Sequence, residues 1–208
     1  MADDLNSVKI TSSTGRAYHH GALRAALLEA AEAVIAERGV DGFSLRETAR
    51  RAGVSPAAPG HHFKDARGLL TALAAEAFRA FGDALEAADG EGDRQARIRG
   101  QGVAYVRFAL ANQAKFELMW RRALLNLEDP AYVAAGERAF ALLDAAVRGD
   151  APPASCAADP VLAPSIAAWS LVHGFAKLAI DGAFGTGPEA MERAVEKLLP
   201  GVLDCLKV

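Results

Sequence analysis

The sequence predicts an all-α protein of about nine helices, with a small N-terminal head and a larger helical body. Two observations support this fold class. Apolar residues recur at spacings of three and four along most of the chain, and no stretch alternates apolar with polar residues as a half-buried strand would. Serine, aspartate, glycine and proline also stand where the apolar patterns begin and end, as expected at helix boundaries.

The head is predicted to contain three helices. The first spans residues 21–38, because it carries an apolar stripe and Gly39 supplies a C-terminal stop. A short second helix begins at the capping box Ser44–Glu47, where the serine caps and the glutamate reaches back, and it ends near residue 52. Ser55-Pro56 is another start signal and opens a third helix that runs to about residue 62.

The body is predicted to contain six more helices. The first is capped by Asp65 and has apolar residues four apart along one face. In the last helix, Pro200 is expected to cause a kink or an early end. The predicted body helices cover residues 66–88, 94–110, a short stretch near 116–123, residues 130–148, 160–181 and a segment that begins at Gly187.

Composition and charge exclude several classes of protein. The 208 residues are 51% hydrophobic and 24% charged, which is typical of a soluble globular chain. A net charge of −3 excludes a uniformly basic nucleic-acid coat, so a basic surface has to be local. Cys156 and Cys205 lack metal-binding spacing and indicate a reducing compartment. Because we find neither a signal peptide nor a membrane span, a cytoplasmic location is expected.

Residues 44–63 have the spacing of a helix-turn-helix. Two short capped helices flank a three-residue turn, Ala49 is small enough for a close crossing, and Gly53 permits the sharp turn. In such a unit the exposed N-terminal end of the second helix enters a DNA major groove. Between Arg16 and Leu70 eight basic residues outnumber six acidic ones, which gives a local charge of +2 that suits phosphate contacts.

This geometry assigns candidate DNA-binding residues. Because the recognition helix presents its first turn to the groove, Ala57, Ala58 and His61 are expected nearest the base edges. Small side chains favour contacts with thymine methyls over bidentate hydrogen bonds. His61 and His62 point about 100° apart on a helix, so no shared metal is expected. The residues expected near the DNA backbone are Ser44, Arg46, Ser55, His62, Lys64 and Arg67.

Three stretches of the head match a known pattern, namely Gly42-Phe43-Ser44-Leu45-Arg46-Glu47-Thr48-Ala49-Arg50-Arg51-Ala52-Gly53-Val54-Ser55, His62-Phe63 and Leu69-Leu70. Through them, residues 18–73 resemble the tetracycline-repressor (TetR) family of bacterial transcriptional regulators. Trp169-Ser170-Leu171-Val172-His173-Gly174 is similar to the Trp-His-Gly signature of one C-terminal subgroup. The resemblance implies a helical homodimer that represses transcription until a small molecule binds the C-terminal domain and moves the two heads apart.

The predicted organisation follows from these elements. Residues 1–17 are expected to form a disordered arm, residues 18–65 the helix-turn-helix head, and residues 66–208 an effector-binding and dimerisation domain. The helix over 160–181 has two apolar stripes and therefore neighbours on two sides. We expect a homodimer through the last two helices, with its heads on half-sites about one helical turn, ~34 Å, apart on operator DNA.

Three positions depart from the family pattern. Gly60 stands where relatives commonly carry a phosphate-contacting tyrosine, Ala66 where they often carry a lysine, and Thr48 where an aliphatic residue is usual. A second interpretation therefore stays open, in which the chain is a small-molecule sensor or interaction protein whose degenerate head binds DNA weakly or not at all. A gel-shift experiment on the DNA that flanks its own coding sequence would discriminate the two.

The body is predicted to have an aromatic-rich interior that suits a mostly apolar effector. His173 has two interpretations, because a histidine one turn from Trp169 either packs a helix contact or touches the ligand. No cofactor or metal is predicted, and the enzyme motifs HExxH, GxSxG and the P-loop are absent from the sequence, which favours a binding function over catalysis. The predicted effector-binding residues are Phe108, Phe116, Trp120, Phe140, Trp169 and His173.

Overall fold

A computed structural model describes residues 14–90, 92–149, 151–152 and 154–206. Over these residues the all-α class is confirmed, since the chain forms nine α-helices and no strand. Two short 3₁₀ turns, Arg122–Leu124 and Pro160–Leu162, lie in the connections. The helices are α1 (Thr14–Arg38), α2 (Leu45–Arg51), α3 (Ala58–Phe63), α4 (Ala66–Ala87), α5 (Arg94–Ala111), α6 (Gln113–Trp120), α7 (Pro130–Arg148), α8 (Ala163–Ile180) and α9 (residues 188–203).

The first helix begins earlier than predicted. α1 starts at Thr14, so residues 14–17, which were expected to belong to a disordered arm, are helical. The rest of that arm, residues 1–13, lies outside the described residues. The stretch before residue 21 has no apolar stripe and therefore gave no periodic signal. A helix that is already nucleated further along extends at low cost, which explains the earlier start.

The helix-turn-helix forms on α1. Ser44 caps α2 by accepting from the Glu47 N–H at 3.4 Å, and the fully buried Ala49 faces the crossing. Gly53 has a φ of +69°, the left-handed backbone that the predicted turn requires. The Val54 N–H donates to the Ala49 carbonyl at 3.0 Å and closes the turn after α2.

The third helix begins later than predicted because of Pro59. A helix capped by Ser55 would need the N–H of residue 59 to bond the Ser55 carbonyl, and proline has no N–H. Residues 55–57 instead form a turn, in which the Ala58 N–H donates to the Ser55 carbonyl at 3.0 Å. With α3 starting at Ala58, Pro59 lies in its first turn, where an N–H is not required.

The long helix α4 joins the head to the body. Its 22 residues span roughly 33 Å at 1.5 Å per residue, and they pack against α1 and α3 at one end and against α5, α6 and α7 further along. Asp65 caps the helix by accepting from the Gly68 N–H at 2.8 Å. A Cβ at Gly68 would lie 1.9 Å from the Phe63 carbonyl oxygen, so only glycine allows this approach of α3 to α4.

The last helix is continuous, although its middle is wider than an α-helix. Pro188–Arg193 and Leu199–Leu203 are α-helical, and Ala194–Leu198 between them form a π-helical turn. The Leu199 N–H accordingly donates to the Ala194 carbonyl, five residues earlier. Pro200 has no N–H for the next α-helical bond, so the ladder is interrupted next to it. The proline is thus accommodated by a wide turn and does not end the helix.

One segment, Pro160–Ile180, is long and apolar enough to cross a membrane by length and composition, with a mean hydropathy of 1.3. It consists of the second 3₁₀ turn and α8, and it packs against α5 and α7. Core helices of soluble proteins pass the same test. Only 33% of the window is buried, however, so α8 has an outer face that nothing in the described chain covers.

The contact at Gly68 generates a prediction about stability. Replacing Gly68 by alanine should lower the free energy of unfolding by about 2 kcal/mol, because the added methyl must displace the Phe63 carbonyl and separate α3 from α4. Gly60→Ala is the matched control, because a Cβ there meets no atom within 4 Å and should stabilise α3 by up to about 1 kcal/mol. Urea unfolding of both variants measures the difference, and equal effects would contradict it.

Candidate functional site

Two cations of the head are exposed and have no ion-pair partner among the described residues. They are Arg46 on α2 and Lys64 at the end of α3. The neighbouring arginines are paired within the head, because Glu47 accepts from Arg50 Nε at 2.8 Å and from Arg51 Nε at 2.9 Å. The hydrogen bond from Arg50, followed in size by the one from Arg51, lowers the pKa of Glu47 to about 2. Arg46 and Lys64 therefore remain available for phosphate groups.

Lys64 has a strained backbone. Its φ of 71° and ψ of −56° are those of the rarer kind of γ-turn, in which the Asp65 N–H donates to the Phe63 carbonyl at 2.8 Å. No other non-glycine residue in the described chain has a positive φ. Such a conformation costs of order 1–3 kcal/mol and occurs preferentially at functional sites. The turn places a lysine directly between α3 and α4.

The start of the recognition helix α3 is open to solvent. Ser55, Ala57 and His61 are exposed, and Ala58 is half-buried. His62 is also half-buried, with its ring 6.3 Å from that of Phe63. The structure therefore leaves the predicted base-reading residues accessible, and their role in DNA binding stays a prediction.

Arg67 contacts the body of the protein as well as belonging to the predicted DNA-binding set. Its guanidinium donates to the Leu125 carbonyl at 3.3 Å and to the Ala123 carbonyl at 3.2 Å, both in the segment after α6. Thr71 lies one turn further along α4, and its Oγ1 accepts from the Asn126 N–H at 2.8 Å. Two successive turns of α4 therefore bind this segment. A guanidinium engaged in this way joins the head to the body, and the predicted contact of Arg67 with the DNA backbone stays a prediction.

The body contains a cavity of ≈ 390 Å³ between α4, α5, α6, α7 and α8, and the cavity opens to solvent on one side. Its wall is mainly aromatic and aliphatic. Arg122 is the one charged side chain among the described residues that line it, and it lies at the exposed edge together with Leu127. The lining residues are Phe78, Phe81, Leu85, Tyr105, Met119, Trp120, Arg122, Leu127, Tyr132, Val133, Gly136, Ala139, Phe140, Leu143 and Trp169.

Three of the six predicted effector-binding residues line this cavity, namely Trp120, Phe140 and Trp169. Phe108 does not, because it is buried against Phe81 with the ring centroids 5.2 Å apart. Phe116 and His173 do not line it either. They belong to the wall of a second cavity of ≈ 450 Å³ between the end of α1, α6 and α8, and Trp120 lies in both walls.

His173 takes part in a hydrogen-bond network with Tyr105 and Trp169. Trp169 Nε1 donates to the Tyr105 hydroxyl at 3.2 Å, and that hydroxyl lies 2.9 Å from His173 Nδ1. An indole N–H can only donate, so the tyrosine oxygen accepts from it and its own proton bonds Nδ1. This favours neutral His173 with its proton on Nε2. Burial, and secondly the charge of Lys177, lower the pKa of His173 accordingly.

The network explains the four-residue spacing of Trp169 and His173. Residues at i and i+4 share one helix face, so both side chains of α8 reach the same tyrosine on α5. This geometry supports the structural interpretation of the histidine. Burial raises the pKa of Tyr105, so the hydroxyl stays protonated and the network stays intact at neutral pH.

Sequence reasoning missed the part of the wall that α4 supplies, and on α7 it found only Phe140. Phe78 and Phe81 of α4 contact the aromatic residues opposite, with Phe78 5.4 Å from Trp120 and 5.6 Å from Tyr132 between ring centroids. Both were visible as apolar positions of a helical stripe. Periodicity indicates only that such residues face inward, and does not distinguish a packed core from a cavity wall.

Two protein-family models match the chain. One, described as "Bacterial regulatory proteins, tetR family", covers residues 27–73, and the other, "Tetracyclin repressor-like, C-terminal domain", covers residues 98–202. The Trp-His-Gly subgroup stays a prediction. Among curated proteins no sequence matches the chain.

Several solved structures are similar over most of the chain. A protein of unknown function from a Rhodococcus species is 36% identical, with 88% of this chain and 97% of that chain covered and a TM-score of 0.67. The TetR family transcriptional regulator PfmR from Thermus thermophilus is 22% identical, with 86% and 97% covered and a TM-score of 0.64. FadR from Bacillus subtilis, solved in complex with stearoyl-CoA, is 16% identical, with 88% and 96% covered and a TM-score of 0.65. The last two show the shared fold.

The environment of His173 predicts a pH dependence of stability. Its pKa is lowered in the folded protein, so the unfolded chain binds more protons as the pH falls through about 6.5, and stability is lost. His173→Asn removes the titrating group and keeps an acceptor for Tyr105. Melting temperatures at about pH 7.5 and about pH 5.5 should fall more in the wild type than in this variant. Equal falls would show that His173 does not contribute.

Proposed function

The chain belongs to the TetR family of bacterial transcriptional regulators, and from this premise we propose that it is a repressor released from operator DNA by a small, mostly apolar effector. The helix-turn-helix head would bind DNA, and the aromatic cavity of the body would bind the effector. In this role the protein works by binding and not by catalysis. We place the head at residues 18–65, the effector-binding domain from residue 66 onward, and the protein in the cytoplasm with its DNA.

The observation that carries the DNA-binding role is the combination of an exposed α3 with a lysine held in a strained turn at its end. Strain of order 1–3 kcal/mol persists where function requires the residue, and the Lys64 ammonium has no partner within the described chain. Ser55 and Ala57 are exposed just before the other end of this helix, and His61 is exposed within it. Phosphate contacts from Arg46 and Lys64 would orient that end toward the base edges.

The cavity supports the effector role. A cavity of ≈ 390 Å³ lies within the usual range of small-molecule sites, and its aromatic wall suits an apolar ligand. A relative of the same fold, FadR of Bacillus subtilis, is solved with stearoyl-CoA, a ligand with a long apolar chain. Residues on the cavity wall that we propose as effector contacts are Trp120, Phe140, Trp169, Phe78, Phe81 and Tyr132.

The two sites are connected through α4. Arg67 and Thr71 hydrogen-bond the segment 123–126, which lies between the cavity residues Arg122 and Leu127. Only two residues, Lys64 and Asp65, separate the end of α3 from the start of the same helix. An effector that rearranges this segment would change the contacts of α4 and so the position of α3. Coupling further requires that the effector bind the two arrangements with different affinity.

A homodimer through α8 and α9 fits the surface of the body. Ile166, Leu178 and Leu198 are large apolar residues on these two helices, with 39%, 51% and 44% of their surface exposed. A second copy would cover them and would supply the neighbour that the outer face of α8 lacks. Two heads held by this contact could bind two half-sites of one operator.

The DNA-binding role is tested on the DNA that flanks the coding sequence. Lys64→Ala should weaken binding to all sequences alike and reduce the slope of log affinity against log salt by about 2 per dimer, since each neutralised phosphate contributes about 0.9. His61→Ala should change the sequence preference. Arg79→Ala is the control, because it removes an exposed cation of α4 outside the head.

The result of this gel-shift experiment separates the two interpretations of the head. Wild-type binding that is lost with Lys64 supports a DNA-binding repressor. If the wild type does not bind at any salt concentration while an apolar ligand still enters the cavity, the chain is a sensor with a degenerate head. An equal loss for Lys64→Ala and Arg79→Ala would contradict the assignment of Lys64.

The proposed dimer is tested by charge substitution on its outer face. The double variant Ile166→Asp and Leu178→Asp should be monomeric by light scattering, because it places carboxylates at the centre of an apolar contact. Leu127→Asp is the control, since Leu127 is similarly exposed, at 36%, but lies outside α8 and α9. The wild-type dimer should persist at high salt. A wild-type protein that is monomeric at all concentrations would overturn the proposal.

A further inference from the structure

The effector cavity has a single cationic group at its mouth, and this group has no counterion within the described part of the protein. Building on the proposed function, we infer that the effector is a monoanion with an apolar or aromatic body, and that Arg122 binds its carboxylate or equivalent anionic group. The body of the molecule would extend from Arg122 inward between the aromatic side chains.

The charge pattern of the wall supports an anion. Arg122 is the only charged residue among the described residues that line the cavity, and neither aspartate nor glutamate is among them. Within the described chain the Arg122 guanidinium has no ion pair or hydrogen bond. Its neighbour Arg121 shows that pairing is possible nearby, since it contacts Asp41 and also Glu117 at 3.5 Å. An unpaired guanidinium beside an apolar cavity is a preformed site for an anionic ligand.

The depth of the lining residues gives the orientation of the ligand. Arg122 and Leu127 are exposed and form the mouth, whereas Met119 and Tyr105 are at most 1% exposed and lie deep. The charge of Arg122 also acts on the hydroxyl of Tyr132, which donates to the Met119 carbonyl at 3.3 Å. An anion would be costly anywhere deeper, because the wall offers it no other cation among its described residues. The anionic group therefore stays at the mouth.

The volume limits the size of the apolar body. A cavity of about 150 Å³ holds one benzene, so ≈ 390 Å³ accommodates two or three rings or an alkyl chain of similar volume. A cationic ligand fits this cavity poorly. Its attraction to the aromatic faces would be opposed by Arg122, and no carboxylate of the described wall would neutralise it.

The inference is tested by ligand fluorescence titration of the full chain without DNA. The chain has only two tryptophans, Trp120 and Trp169, and both line the cavity, so a change in their emission reports its occupancy. Trp169 does not line the second cavity. Two pairs of probes keep the body and change the charge, namely decanoate with decanol and phenylhexanoate with phenylhexanol. The wild type should bind each carboxylate about tenfold more tightly than its alcohol, the size of one charge-assisted hydrogen bond.

Substitution of Arg122 tests whether its guanidinium is the source of the preference for carboxylates. Arg122→Gln should remove the preference for carboxylates and leave the affinity for the alcohols within about twofold. Arg79→Gln removes an equal charge from α4 outside the cavity wall and should preserve the preference. Equal affinity of the wild type for acids and alcohols would overturn the inference. So would an equal loss for both in Arg122→Gln, or no change in tryptophan emission with any of the four probes.

This titration is independent of DNA binding, so the two proposals fail separately. Carboxylate binding that depends on Arg122, with no effect on DNA, would support the anion site and contradict the release mechanism. DNA release by decanol with the same potency as decanoate would support the release mechanism and contradict the anion site.

Discussion

The close approach of the Phe63 carbonyl to Gly68 is the constraint on which the rest of the molecule depends. No side chain fits between α3 and α4 at this point, and the short turn through Lys64 and Asp65 brings the two helices together. This contact fixes the direction in which the recognition helix leaves the head. It also fixes the start of α4, and hence which of its residues face the cavity. Both candidate sites are therefore positioned by a single joint.

From this joint, α4 makes polar contacts near its start and apolar ones further along. Arg67 and Thr71 hold the backbone of the segment after α6, whereas Phe78, Phe81 and Leu85 form one side of the cavity wall. A ligand between these aromatic residues and Trp120 would press on α4 and on the end of α6 together. Because packed helices move as rigid elements, a small displacement at the cavity would reach the head with little loss.

The fold could be predicted from the sequence because helix ends have local signals. Gly39 and Gly53 stand at positive φ where the patterns stopped, and Asp65 caps α4 as expected. The start of α3 was missed, although the absent N–H of Pro59 was enough to place it. The site was only partly predictable. Apolar spacing does not distinguish Phe108, which packs against Phe81, from Phe140, which lines the cavity. Arg67 donates to backbone carbonyls more than fifty residues away in the sequence, and Arg122 has no carboxylate partner in the described chain. Neither property can be seen in the local sequence.

The γ-turn at Lys64 has a consequence for engineering. Glycine adopts a positive φ without strain, so Lys64→Gly would relax the joint and make the protein more resistant to heat. The same change would delete the proposed phosphate contact. Selection of variants for thermal tolerance alone would thus enrich proteins that no longer regulate, an instance of the trade-off between stability and activity. A mutant library intended to raise the thermal stability of this regulator should keep Lys64 unchanged.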